Sequence, residues 1–280
     1  MAKGPVPSRF IAAEPRVRRG YFECRFGQLH VHNAIPPGGG FDEATSLICL
    51  HSGPLSGRMF RLFLQAMGRD RSVYAPDLPG FGESDAPPAR PTIADYAASI
   101  GDFCDSMRFR QIDILGHHGG SLIAAELAIA RPQQVRRIVL AGVPIASEAE
   151  RENFRRSPWP VQPTEDGSYL NIEWRRSMES RGPGVSLEKV AQGFADKLRN
   201  GTNAWWGVHA ALQYTGRDRL SLISQPALVL RAKDELWDAT SRVRELLPRG
   251  RFLDLPDYGQ GLFEVAPEVV ANALRDFLRA

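Results

Sequence analysis

The fold is decided by the stretch Ile114-Leu115-Gly116-His117-His118-Gly119-Gly120. It joins an apolar run at residues 112–115 to a segment with helical patterning at residues 120–130. Gly116 and Gly120 stand on either side of His118, where a side chain would clash as a strand turns sharply into a helix. The stretch therefore predicts a strained strand–turn–helix element that presents the imidazole of His118.

Short apolar runs alternate with longer amphipathic segments on both sides of this turn. The predicted strands lie at residues 21–26, 29–35, 47–50, 73–75, 112–115, 135–140, 227–230 and 251–255. The predicted helices lie near residues 58–67, 93–107, 120–130, 240–247 and 267–278. This alternation predicts a parallel sheet wrapped by crossover helices, preceded by a hairpin.

One segment interrupts the alternation. Residues 146–217 contain charged helical stretches broken by proline and glycine, with aromatic residues between them. We therefore predict an N-terminal extension at 1–20, a core made of 21–145 and 218–280, and a helical cap at 146–217 that lies over one end of the sheet.

Composition excludes several classes of function. The 280 residues are 43% hydrophobic and 24% charged, which suits one large core, and the net charge of +3 includes no basic run. We therefore expect no nucleic-acid partner. No stretch reaches the ~18 apolar residues of a membrane span, and no apolar leader opens the chain. We expect a cytoplasmic protein with no membrane partner, and the sequence leaves a homodimer open.

The cysteines predict neither a disulfide framework nor a metal site. Cys24, Cys49 and Cys104 show no Cys-x-x-Cys or Cys/His spacing, and each lies in an apolar or helical context. We interpret them as packing residues and expect no metal and no cofactor.

Three motifs, taken in order, resemble the α/β-hydrolase fold superfamily from about Tyr21 onward. Leu50-His51-Ser52-Gly53-Pro54 is similar to its oxyanion loop, with Ser52 in place of a glycine. Residues 77–85, DLPGFGESD, are similar to its signature turn, and residues 114–120 to its nucleophile elbow. The resemblance implies an α/β fold, a mostly parallel sheet flanked by helices with a helical cap, and hydrolase activity.

The catalytic positions depart from the family pattern. His118 stands where the family has its serine, and Gln260 stands where it has its histidine, whereas Asp234 fits the place of its acid. We predict that Gln260 accepts a hydrogen bond from His118 and donates one to Asp234, which fixes the imidazole tautomer. His118 is then the only base or nucleophile of the three.

Further residues are predicted around this base. The resemblance places oxyanion donors at the backbone N–H groups of Gly119 and of a residue near Gly53. His209 in the cap is a candidate second acid or base. The aromatic residues of the cap predict an apolar pocket. The predicted substrate-binding residues are Ser52, Gly53, His117, Gly119, Trp205 and Trp206.

These features favour a cofactor-independent enzyme that acts on a small apolar carbonyl compound, aromatic or polyketide-like. Hydrolysis ranks first because it dominates the family, and a lyase or isomerase step remains open. The alternatives are a non-catalytic small-molecule-binding protein on the same fold, or a chain altered at His118 or Gln260 to trap a substrate.

Overall fold

A computed structural model of the protein describes residues 14–37, 39, 45–156 and 161–279. Most of the predicted N-terminal extension and part of the proline- and glycine-rich turn at 36–40 lie outside the described residues. The first strand begins at Arg18, inside the segment predicted as an extension.

Eight strands form one sheet at the centre of the molecule. They are β1 (Arg18–Cys24), β2 (Gly27–Ala34), β3 (Ser46–Leu50), β4 (Val73–Pro76), β5 (Ile112–His117), β6 (Val135–Ala141), β7 (Ala227–Ala232) and β8 (Arg251–Leu255). Their order is β1-β2-β4-β3-β5-β6-β7-β8. The first two pairings, β1 with β2 and β2 with β4, are antiparallel, and all others are parallel. The predicted mostly parallel sheet is confirmed.

Helices cover both faces of this sheet, so its central strands read as continuous apolar runs. Helices α2 (Ile93–Ser106) and α3 (Gly119–Ala130) pack on one face, and α1 (Arg61–Met67), α10 (Leu262–Val265) and α11 (Pro267–Arg279) pack on the other. Every residue of β5 is buried between the two layers. The rigid centre of the sheet therefore fixes the turn that follows β5.

The remaining helices follow β6 and β7. In the part of the chain that the structure describes, these strands are connected by α4 (Glu148–Arg156), α5 (Tyr169–Glu179), α6 (Leu187–Arg199), α7 (Trp206–Gln213) and α8 (Gly216–Leu220). The helix predicted near residues 240–247 is instead α9 (Trp237–Ser241), continued by a 3-10 turn at Arg242–Glu245. Within the described residues, no helix is long and apolar enough to cross a bilayer.

Candidate active site

The turn between β5 and α3 has the strained geometry that its glycines predict. His118 adopts φ 50° and ψ −118°, in the left-handed region that non-glycine residues rarely enter. A Cβ atom on Gly116 would lie 2.2 Å from the carbonyl oxygen of Gly120, and one on Gly120 would lie 2.3 Å from that of Leu50. The strand and helix can therefore approach this closely only with glycine at both positions.

The imidazole of His118 contacts Asp234 directly. Its Nε2 atom lies 2.9 Å from Oδ2 of Asp234, and the two side chains are 11% and 3% exposed. Asp234 follows β7, and its other oxygen accepts the N–H of Leu236 at 2.8 Å. Gly142, with φ +64°, leaves room for the ring, because a Cβ atom there would lie 2.6 Å from Cδ2 of His118. The sequence analysis missed Gly142.

The predicted bridge through Gln260 is wrong. Its side-chain Nε2 donates instead to both carboxylate oxygens of Glu235, at 2.6 and 2.5 Å. An imidazole extends farther from the backbone than a serine hydroxyl, so His118 reaches Asp234 without a bridge. Gln260 lines the same cavity, but its partner is Glu235, which the sequence analysis did not single out.

The surroundings of His118 favour its protonated form. Burial opposes protonation, but the hydrogen bond to Asp234 and the charges of Glu235 and Asp234 outweigh it, so the pKa of His118 is raised above 6.5. A carboxylate accepts hydrogen bonds, so Nε2 carries a proton and the neutral ring has its lone pair on Nδ1. Nδ1 lies 3.7 Å from Oε1 of Glu235. The neutral imidazole of His118 therefore has a fixed tautomer.

His117 stacks on His118, and its surroundings favour the neutral form of its ring. Its ring stacks on that of His118, with centroids 3.9 Å apart and planes 23° apart, and packs edge-on against Phe263. Burial, followed by the charges of His118 and His51, holds the pKa of His117 well below 6.5. Ligand atoms of His117, His118 and Asp234 lie within 4.8 Å of one another. Nearly parallel rings cannot both aim a nitrogen at one ion, so this group is a poor metal site.

A cavity of about 920 Å³ opens above His118. Among the predicted binding residues, it is lined by Ser52, Gly53, His117, Gly119 and Trp205. Gly119 is the first residue of α3, so its N–H group has no partner within the helix and is available to a ligand. The structure therefore brings together the base and the loop residues expected to supply oxyanion donors.

Two predicted site residues lie elsewhere. Neither Trp206 nor His209 is among the residues that line this cavity. Trp206 packs against the core cluster on the α2 and α3 face, and the ring of His209 packs edge-on against Phe154 at 5.6 Å. Gly207, Val208 and Ala211 form the cavity face of α7 instead. The prediction of His209 as a second acid or base is therefore not supported.

The cavity wall is more charged than the aromatic residues of the cap suggested. Its charged lining residues are Arg58, Arg176, Glu179, Arg181, Lys189, Asp196, Lys197, Lys233, Asp234, Glu235 and Glu264. Several are neutralised in place: Lys189 pairs with Glu264 at 2.9 Å, and Lys197 pairs with buried Glu173. The Nζ atom of Lys197 also lies 5.2 Å from the ring centroid of Trp205. Apolar and paired charged groups therefore share the wall.

The C-terminal end of α6 fixes the loop that follows β3. The side-chain Nδ2 of Asn200 donates to the carbonyl of Pro54 at 2.5 Å, and its Oδ1 accepts the N–H of Gly82 at 3.1 Å. The hydroxyl of Ser56 donates to Oδ2 of Asp196 at 2.7 Å. Asp196 and Asn200 are both buried. The end of α6 thus holds the loop in which an oxyanion donor is expected.

Comparison with known proteins identifies the class of protein. The sequence model of the α/β hydrolase fold matches residues 45–267, so the chain belongs to this family. A proline iminopeptidase of Heyndrickxia coagulans is 25% identical, over 93% of this chain and 98% of its own. A poly(3-hydroxyalkanoate) depolymerase of Ectopseudomonas oleovorans is 28% identical, over 78% of each chain.

A solved structure supports the same fold. A thermophilic esterase from Thermogutta terrifontis superposes with a TM-score of 0.74 at 22% identity, covering 94% of this chain and 98% of the esterase. The named relatives of this α/β-hydrolase-fold protein are themselves hydrolases.

Proposed function

We propose that the protein is a cofactor-independent hydrolase in which His118, held by Asp234, acts as a general base on a carbonyl substrate. The observation that carries the proposal is the 2.9 Å contact between Nε2 of His118 and Oδ2 of Asp234, at the floor of a cavity. This contact assigns the proton to Nε2 and leaves the lone pair of Nδ1 for catalysis.

In the proposed reaction, Nδ1 of His118 removes a proton from water while the water oxygen attacks the substrate carbonyl. Backbone N–H groups of Gly119 and Gly53 stabilise the resulting oxyanion. Asp234 and Glu235 stabilise the imidazolium by charge. When the tetrahedral intermediate collapses, the imidazolium returns its proton to the leaving group, so the base is regenerated. Direct attack by His118 on the carbonyl is the alternative route through the same complex.

The proposed substrate is a small, largely apolar carbonyl compound, aromatic or polyketide-like. Trp205, Phe194 and Phe263 among the lining residues support an apolar portion. The hydrolase names of the relatives support hydrolysis over a lyase step. Paired charges in the wall leave room for a polar group at one end of the substrate.

The proposal is tested with a panel of chromogenic aryl and alkyl esters and with His118→Ala. We expect the intact protein to hydrolyse part of the panel, the variant to lose that activity, and a serine-directed fluorophosphonate to leave both unlabelled. Turnover that survives in His118→Ala would remove the base from the mechanism. Saturable ligand binding without turnover in the intact protein would favour the non-catalytic binding alternative.

A further inference from the structure

A second group of histidine and aspartate side chains lies outside the cavity. His30 and His32 alternate along β2, so their side chains share one face of the strand, and Asp77 directly follows the neighbouring strand β4. The three residues are 3%, 7% and 1% exposed. Each residue has one nitrogen or oxygen atom that could bind a metal ion, and these three atoms lie within 4.8 Å of one another.

The contacts within this group leave one imidazole unexplained. Nδ1 of His30 lies 2.9 Å from Oδ2 of Asp77, which is an ordinary hydrogen bond. Nε2 of His32 lies 3.7 Å from Oδ1 of the same carboxylate, which is too long for one. Among the described residues, the ring of His32 has no hydrogen-bond partner. The ring nitrogens of His32 are not fully buried, so a water or an ion can reach them.

The distances suit a shared metal ion. Two donors bound to one zinc ion at tetrahedral angles lie about 3.3 Å apart. The observed separations are similar, at 2.9 and 3.7 Å, but they run to different oxygens of Asp77, Oδ2 and Oδ1, so the carboxylate must turn for one oxygen to join both rings on a single ion. The rings of His30 and His32 are nearly perpendicular, at 84°, so their nitrogens can converge on one point, unlike the stacked rings at the active site.

The carboxylate is also oriented as a metal ligand requires. The backbone N–H of Gly57 donates to Oδ1 of Asp77 at 2.7 Å, and that of Glu83 donates to Oδ2 at 3.0 Å. Such outer contacts fix the direction of the lone pairs that remain. The side chain of His32 is 9% exposed, which gives an ion a route to the group.

We propose that His30, His32 and Asp77 form a binding site for one divalent transition-metal ion of the zinc class, with a water as fourth ligand. Imidazole nitrogen and carboxylate oxygen are ligands that zinc prefers. On binding, His30 carries its proton on Nε2, and bonds from the ion to His30 and to Asp77 replace their hydrogen bond. The ion would tie β2 to β4 and to the loop that begins at Asp77, a structural role independent of the proposed hydrolysis.

Metal binding is measured on the untagged full chain after treatment with a chelator. The protein is dialysed against Zn²⁺ or Co²⁺, the bound metal is quantified by mass spectrometry, and the visible spectrum of the Co²⁺ form is recorded. We expect one equivalent of metal, the intense bands of a four-coordinate Co²⁺ site, and a melting temperature raised by added Zn²⁺. His32→Phe should lose all three effects, whereas His118→Ala should retain them.

The outcomes separate this site from the active site. Absence of bound metal in the intact protein would overturn the proposal. Metal retained by His32→Phe but lost from His118→Ala would place the ion at the other cluster and would also overturn it. Circular dichroism checks that His32→Phe folds, and if it does not, His32→Gln takes its place with a weakened site and an altered Co²⁺ spectrum expected. An unchanged Co²⁺ spectrum in His32→Gln would count against the assignment.

Discussion

Two histidine–aspartate pairs in this molecule have the same length and different surroundings. His118 and Asp234 lie 2.9 Å apart, as do His30 and Asp77. The carboxylate of Asp77 also accepts two backbone N–H groups, and its histidine lies in a regular strand. His118 lies on a strained turn and lines a cavity. One pair thus lines a cavity on a strained turn, whereas the other is buried within the sheet.

The difference shows that the environment of the pair, and not the pair itself, indicates catalysis. Strain is retained at a position only where the surrounding structure enforces it, and functional sites are where it concentrates. At His118 the enforcing contacts are the close approaches at Gly116, Gly120 and Gly142. The pair around Asp77 is buried within the sheet and lies outside the cavity.

The two pairs should differ most in activity and stability when the histidine of each is replaced. We expect His118→Ala to lower kcat/KM by about 10²–10⁴-fold, the usual contribution of a general base. We expect His30→Ala to leave kcat/KM nearly unchanged but to lower the free energy of unfolding by about 1–3 kcal/mol, because it removes one of the hydrogen-bond partners of a buried carboxylate. Ester hydrolysis and urea unfolding measure the two quantities. Equal losses of activity in both variants would erase the distinction between the pairs.

Substitution of Asp234, the acid of the pair that lines the cavity, should have the next largest effect. Asp234→Asn keeps the shape of the side chain but removes the charge that stabilises the imidazolium, so we expect a loss of about 10²-fold in kcat/KM. Asp238→Asn, an exposed change close by in the chain, is the matched control and should behave as the intact protein does. If Asp234→Asn were as active as that control, Asp234 would have no part in the mechanism.

The contact between the cap and the oxyanion loop should contribute less. Asn200→Ala removes the hydrogen bonds to Pro54 and Gly82 and lets the loop shift, so we expect kcat to fall about tenfold while KM changes little. Asn171→Ala changes an exposed asparagine of the cap and serves as the control. A rise in KM at constant kcat would indicate a role in binding instead of loop positioning.

The smallest effect is expected at Glu235, whose side chain is 56% exposed and therefore partly screened. The neutral form of His118 is the base, so activity should rise with pH through the raised pKa of this group. Because Glu235 contributes to that rise, Glu235→Gln should move the acidic limb of the pH–rate profile to lower pH and leave the plateau rate nearly unchanged. An acidic limb that moves to higher pH would show that Glu235 lowers the pKa of His118 instead of raising it.

The sequence predicted the features that depend on local sterics and on topology. The glycines around His118 predicted the turn because their need for space is local. The resemblance to the family implied that Asp234 and Gln260 lie near the turn, at the positions of its acid and its histidine. Both line the cavity. The hydrogen-bond partner of Gln260 was not predicted. His118 already binds Asp234, so Gln260 binds the neighbouring Glu235 instead.

The errors in the cap have a different physical origin. The residue at which a short helix begins decides which of its side chains face the cavity and which face the core. Helix α7 begins at Trp206. Trp205 ends the preceding 3-10 turn, so its four-residue spacing from His209 does not place the two on one helical face. Sequence spacing alone does not show at which residue the helix begins. Gly142 was missed because its role is to leave space for a ring from another strand end.

If His118 itself is the base, the pH at which its ring loses a proton must be the pH at which activity rises. These two titrations can be compared directly. The ring of His118 is followed by NMR across the pH range in which kcat/KM for an ester substrate is measured. We expect one shared midpoint, above the ordinary value of 6.5, with activity rising as the ring loses its proton. A rate that rises at a pH where the His118 ring does not titrate would contradict it.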